Sequence, residues 1–151
     1  MKNHRTLIIS VFIVASCGLA YELIIAALAS YLLGDSILQF SSIIGLYLFA
    51  MGIGAHLTRY IRDEDALTRF IEIELLVGII GGLSALALFV AFGLAAAPFR
   101  SLLYAFVLIT GIIVGMEIPL VMRVLHREQA AFADLVARVL TFDYLGALAV
   151  S

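Results

Sequence analysis

The sequence predicts an all-α, polytopic helical membrane protein with four transmembrane helices and the start of a fifth, and with its amino terminus in the cytoplasm. Three observations carry this. Of 151 residues, 64% are hydrophobic and 13% charged, with a mean hydropathy of +1.17, whereas a soluble domain is about 45–50% apolar and about 25% charged. The few charges cluster between long apolar runs. Eight of the nine Lys and Arg residues also fall on one side of the arrangement those runs define. Composition excludes other classes. A net charge of -2 with no basic block speaks against nucleic-acid binding, and one cysteine leaves no disulfide framework and no cysteine-based metal cluster.

A membrane-crossing helix needs about 20 mostly apolar residues. The first run covers residues 7–33, interrupted only by Glu22. Gly34-Asp35-Ser36 is a tight polar turn, and the second run covers 37–57. The longest charged stretch follows, Arg59 to Arg69 with Asp63-Glu64-Asp65 inside it. The third run covers 70–97 and is closed by Pro98, which cannot continue a helix. The fourth covers 102–125. After His126-Arg127-Glu128-Gln129, Phe132, Leu135 and Val139 recur at helical spacing and predict a short interfacial helix. A last apolar run starts at about 139. Its 13 residues to Ser151 are too few to cross a bilayer as a helix, so either the sequence continues beyond Ser151, the favoured expectation, or the last segment packs as a half-span against something else. The chain as given is one transmembrane bundle over 1–151.

Orientation follows from the positive-inside rule. With the amino terminus inside, Lys2, Arg5, Arg59, Arg62, Arg69, Arg123, Arg127 and Arg138 are cytoplasmic and only Arg100 is outside. The implied localisation is the inner membrane of the cell. Lys2, Arg5, the apolar stretch 7–14 and Ala15-Ser16-Cys17 imitate a lipoprotein signal peptide. An apolar core of about 7–15 residues is expected there, and here the run continues to Leu33, so a retained span is the better reading.

Glu22, Glu74, Glu117 and Asp143 sit inside or at the edges of spans. An acid near the bilayer centre costs about 2.5–3.5 kcal/mol, so such groups face the bundle interior and are functional candidates. At a rise of about 1.5 Å per residue, Glu22 lies roughly 16 Å below the outer surface and Glu117 roughly 12 Å from the inner one. Glu74 and Asp143 lie about one to two turns above Arg69 and Arg138, so three of the four gather in the inner half. No Lys or Arg occurs between Thr6 and Thr58, Phe70 and Phe99, or Ser101 and Met122. The carboxyls are therefore either protonated, because desolvation disfavours their charged form, or opposite a cation from elsewhere. The plain structural alternative is that each is a neutral hydrogen-bonding staple between helices. Glu72 falls on another face and is expected to be solvated. Tyr21 and Tyr144, adjacent to Glu22 and Asp143, join the candidates for holding a cation.

Gly78 with Gly82 and Gly111 with Gly115 form GxxxG pairs, and Ala50 with Gly54 a weaker variant; such spacing lets helices approach closely. Pro119 removes a donor near Glu117 and frees the Gly115 carbonyl, giving a carboxyl beside a broken helical ladder. Packing alone would also account for that kink. His56, after Gly52, Gly54 and Ala55, could ligate a haem, but no second His lies in a span. No metal and no cofactor is expected, and no nucleophile elbow, phosphate loop or dinucleotide fingerprint occurs.

Six motifs in order resemble a known family: Gly18-Leu19-Ala20-Tyr21-Glu22; Leu33-Gly34-Asp35-Ser36; Leu48 to Gly54; Glu72-Ile73-Glu74-Leu75 with Val77-Gly78; Gly115-Met116-Glu117-Ile118-Pro119-Leu120; and Ala137-Arg138-Val139-Leu140 leading to Asp143-Tyr144-Leu145-Gly146-Ala147-Leu148. Together they are similar to the amino-terminal membrane region of membrane-bound spermidine synthase-like proteins, the polyamine aminopropyltransferase family. The resemblance covers nearly the whole chain. It implies a following cytoplasmic Rossmann-type domain that moves an aminopropyl group from decarboxylated S-adenosylmethionine to putrescine. That catalytic domain is absent from this chain, so no catalytic residue is carried over. The resemblance also implies that Glu22, Glu74, Glu117 and Asp143 are the family's own intramembrane acids.

The reading that follows is a membrane module that anchors such a protein and binds polyamine cations through these carboxylates. Two alternatives stand beside it: a non-catalytic subunit packed in a larger membrane complex, and a fragment of a proton- or cation-coupled transporter. The expected partners are the lipid bilayer, other transmembrane helices and polyamines, with no nucleic acid.

Overall fold

The computed structural model describes the backbone of residues 2–94, 99–126 and 132–150, with side chains described over 9–94, 99–125 and 136–150. The elements are α1 (Lys2–Leu33), α2 (Ser36–Leu57), two single 3₁₀ turns (Thr58–Tyr60 and Asp63–Asp65), α3 (Ala66–Leu94), α4 (Phe99–Gly115), α5 (Glu117–His126) and α6 (Phe132–Val150). No strand occurs among the described residues. Four stretches are long and apolar enough to cross a membrane: Ile9–Leu33, Ser36–Tyr60, Asp63–Leu94 and Phe99–Leu125. Between 22% and 44% of each lies inside the bundle, so most of their apolar surface faces outward. Leu48, Phe49, Leu75, Leu86 and Phe89 are all more than half exposed, a pattern that suits lipid and would be an aggregation hazard in water.

The expected turn between the first two helices has clear physical causes. Gly34 takes φ +72, closing α1 with its N–H donated to the Ser30 carbonyl at 3.0 Å. Asp35 follows at φ 49 and caps α2, its carboxylate accepting from the Leu38 N–H at 3.3 Å. α2 and α4 form the tightest pair. Ala50 and Gly54 on α2 meet Gly111 and Gly115 on α4. A Cβ at Gly111 would come within 2.7 Å of the Ala50 methyl. At Gly54 it would collide with the Ile112 carbonyl, and at Gly115 with the Met51 backbone. The two helices run parallel, since Tyr47 lies at Gly111 and Met51 at Gly115. α6 packs on α1 at Gly146, where the Ser16 hydroxyl is shared between the carbonyls of Phe12 (2.8 Å) and Gly146 (2.9 Å).

Two expectations are corrected. Gly78 and Gly82 do not form a packing face: nothing approaches Gly78, and only the Tyr21 hydroxyl comes as near as 4.0 Å to Gly82. The buried stripe of α3 runs Phe70, Ile73, Val77, Gly81, Ser84, Leu88. Gly78 and Gly82 sit one residue off it, about 100° round the helix. Gly81 is the close-contact glycine, covered by the Tyr21 ring. Second, the amphipathic segment and the last apolar run are one helix, α6, beginning at 132 and not at 139. The fourth span runs Phe99–Leu125, and the break expected near Pro119 falls at Met116. Pro119 offers no N–H to the Gly115 carbonyl. The bonding tightens at the break, where the Met116 N–H donates to the Ile113 carbonyl at 3.2 Å, and the ordinary ladder resumes with the Leu120 N–H donating to the Met116 carbonyl at 3.3 Å. The stop at Pro98, the break at Arg127-Glu128-Gln129 and the side chains of Phe132 and Leu135 lie outside the described residues.

Candidate functional site

The break at Met116 positions the centre of the site. It makes Glu117 the first residue of α5, turned inward and 1% exposed. One of its carboxyl oxygens, Oε1, is buried without a hydrogen-bond partner. Glu74 on α3 and Asp143 on α6 are each half-buried and lie within electrostatic reach of Glu117. Glu74 also holds a buried Oε1 without a partner, while Ser10 on α1 sits beside its carboxyl. Carboxyls from α3, α5 and α6 are thus brought together against α1, an assembly that no single helix could provide.

Glu22 stands apart from this group. It is buried at 7% exposure on α1, and it reaches the others through a residue that sequence reasoning did not select. Tyr47 on α2 is 3% exposed and within electrostatic reach of both Glu22 and Glu117. Its hydroxyl donates to the Gly18 carbonyl at 3.3 Å. The available signal was positional, because Tyr47 lies on the same α2 stripe as Ile43, Ala50 and Gly54. Ser10 was missed as well, and nothing in the local sequence marks it.

The two tyrosine candidates do not join the cluster. Tyr144 is 67% exposed on the outer side of α6. Tyr21 lies over Gly81 and next to Cys17, a packing position. Glu72 is exposed and paired with Arg69 at 2.7 Å. His56 is exposed at the end of α2. The pairs Arg62–Glu64, Arg69–Glu72 and Arg123–Asp63 all belong to the charged end of the bundle. Among the described residues, no group of three His, Cys, Asp or Glu side chains is close enough to hold a single metal ion.

Comparison with known proteins adds the decisive observation. The chain is 69% identical to polyamine aminopropyltransferase 2 of Ralstonia nicotianae over 150 residues, which is 99% of this chain and 29% of that protein. The chain is homologous to the amino-terminal region of polyamine aminopropyltransferases. The polyamine aminopropyltransferase of Leptospira interrogans is 48% identical over 98% of the chain and 29% of its own length. That of Mycobacterium tuberculosis is 40% identical, again over 98% of the chain and 29% of its own length. The chain therefore spans less than a third of these curated relatives. No protein-family model and no solved structure matches it.

Proposed function

We propose that this chain is the membrane module of a polyamine aminopropyltransferase-like protein and that it binds polyamine cations at Glu74, Glu117 and Asp143. The module sits in the inner membrane with its amino terminus and the 58–69 stretch on the cytoplasmic side, as the distribution of Lys and Arg favours. The convergence of these three carboxyls, two with a buried oxygen lacking any partner, is the observation that supports binding. Buried oxygens without partners are costly, and a protonated amine supplies N–H donors and positive charge together. A polyamine carries several such ammonium groups along one apolar chain, one for each of several carboxyls.

Thermal unfolding of the purified chain in detergent, with putrescine or spermidine added, tests this. Ligand at 100 times its dissociation constant stabilises by about 2.7 kcal/mol, which is readily seen as a raised midpoint. Glu117→Gln should remove the rise. If neither amine moves the midpoint beyond sodium chloride of matched ionic strength, the binding role is wrong and anchoring alone remains.

A further inference from the structure

We propose that a second site, independent of the carboxylate cluster, holds one phospholipid whose headgroup combines a phosphate with a primary ammonium. The site is a cleft of about 490 Å³ at the charged end of the bundle. It is lined by the charged Arg62, Asp65, Arg69 and Glu72 and by apolar residues, among them the buried Ile73 and the half-buried Ile113. This is the polarity gradient of a phospholipid, running from the charged 59–72 stretch into the apolar span.

Both charge signs in the lining are needed. Arg62 meets Glu64 through one nitrogen at 3.2 Å and Arg69 meets Glu72 through one at 2.7 Å. All four side chains are at least half exposed. A guanidinium has five N–H donors in a fork that suits phosphate oxygens. Each Arg therefore keeps donors for a phosphate, and exposed ion pairs of this kind are weak competitors. Asp65 and Glu72 line the same cleft and offer acceptors. A primary ammonium carries three N–H donors. A quaternary choline carries none, and a glycerol headgroup brings a net negative charge toward the two acids. Charge complementarity thus selects phosphoethanolamine over phosphocholine and phosphoglycerol.

The test is native mass spectrometry of the purified protein from mixed micelles containing equal amounts of phosphatidylethanolamine, phosphatidylcholine and phosphatidylglycerol with the same chains. The expected result is a single retained lipid, several-fold enriched in the ethanolamine form. The double variant Arg62→Gln/Arg69→Gln should lose retention of all three lipids. The double variant Asp65→Asn/Glu72→Gln should keep retention but lose the preference over choline. Because these side chains are exposed, both variants should fold, which their unchanged melting would verify. Equal retention of ethanolamine and choline lipids, or preference for the glycerol lipid, would overturn the proposal. So would competition by free phosphoethanolamine at the same concentration as the lipid, which would identify a soluble ligand.

Discussion

Tyr47 reaches across from α2 to donate its hydroxyl to the Gly18 carbonyl on α1 at 3.3 Å, where Gly18 also packs closely against Val114 on α4. A Cβ there would lie 3.5 Å from the Tyr47 oxygen and 3.3 Å from the Val114 side chain. The contact ties α1 to α2 at the level where Glu22 and Glu117 face the same ring. Tyr47→Phe should cost about 0.6 kcal/mol, the average for a hydrogen bond between membrane helices, and at most about 1.7. Chemical or steric-trap unfolding in bicelles measures it. A loss well above that range would mean the hydroxyl serves more than this one bond.

The glycine pairs divide cleanly. Gly115→Ala places a methyl in the Met51 backbone, so α2 and α4 must separate, at a cost of about 1–3 kcal/mol or more. Gly78→Ala meets nothing and should be neutral or stabilising by up to about 1 kcal/mol through helix propensity. Comparing the two variants in one thermal series checks the corrected packing of α3.

Arg123 is the tie between α5 and the charged loop, donating to the Ile61 carbonyl at 2.8 Å and lying 3.6 Å from Asp63. Its position on the helix that begins at Glu117 links the site to that loop. Arg123→Gln should raise amide hydrogen exchange across residues 58–65 and speed tryptic cleavage at Arg59 and Arg62. Because Arg123 is 29% exposed and Asp63 72%, the global stability loss should stay near 1 kcal/mol or less.

Among the cation candidates the geometry ranks the residues. Glu74→Gln should weaken any spermidine-induced stabilisation, since it removes one of the acids facing Glu117. Tyr144→Phe should leave it unchanged, because that side chain points outward. Equal effects from both would separate the amine response from the cluster.

Topology is directly measurable, because Cys17 is the single cysteine. In a Cys17→Ser background, Glu64→Cys should react with a membrane-impermeant maleimide only in opened cells. Arg100→Cys should react in intact cells. The reverse pattern would invert the proposed orientation.

The sequence alone located the four apolar stretches long enough to cross a membrane, because length and hydropathy are properties of a single segment, but not the start of α6 at 132. It determined the Gly34-Asp35 turn, whose cause is local backbone geometry, and it flagged Pro119, whose missing N–H breaks the helix wherever it packs. The motif order also carried the family resemblance that 69% identity then made plain. Inward-facing sides were another matter. In lipid both faces of a helix are apolar, so a GxxxG pattern at Gly78 looks as good as one at Gly111, and periodicity does not separate Gly81 from its neighbours. Only the packed bundle decided that. It also chose which acids meet: Glu74, Glu117 and Asp143 are up to 69 residues apart in the chain. Their encounter depends on how α3, α5 and α6 rotate against α1. Tyr47 became visible only there, since a tyrosine in a span shows its partner when a second helix brings a backbone carbonyl within reach.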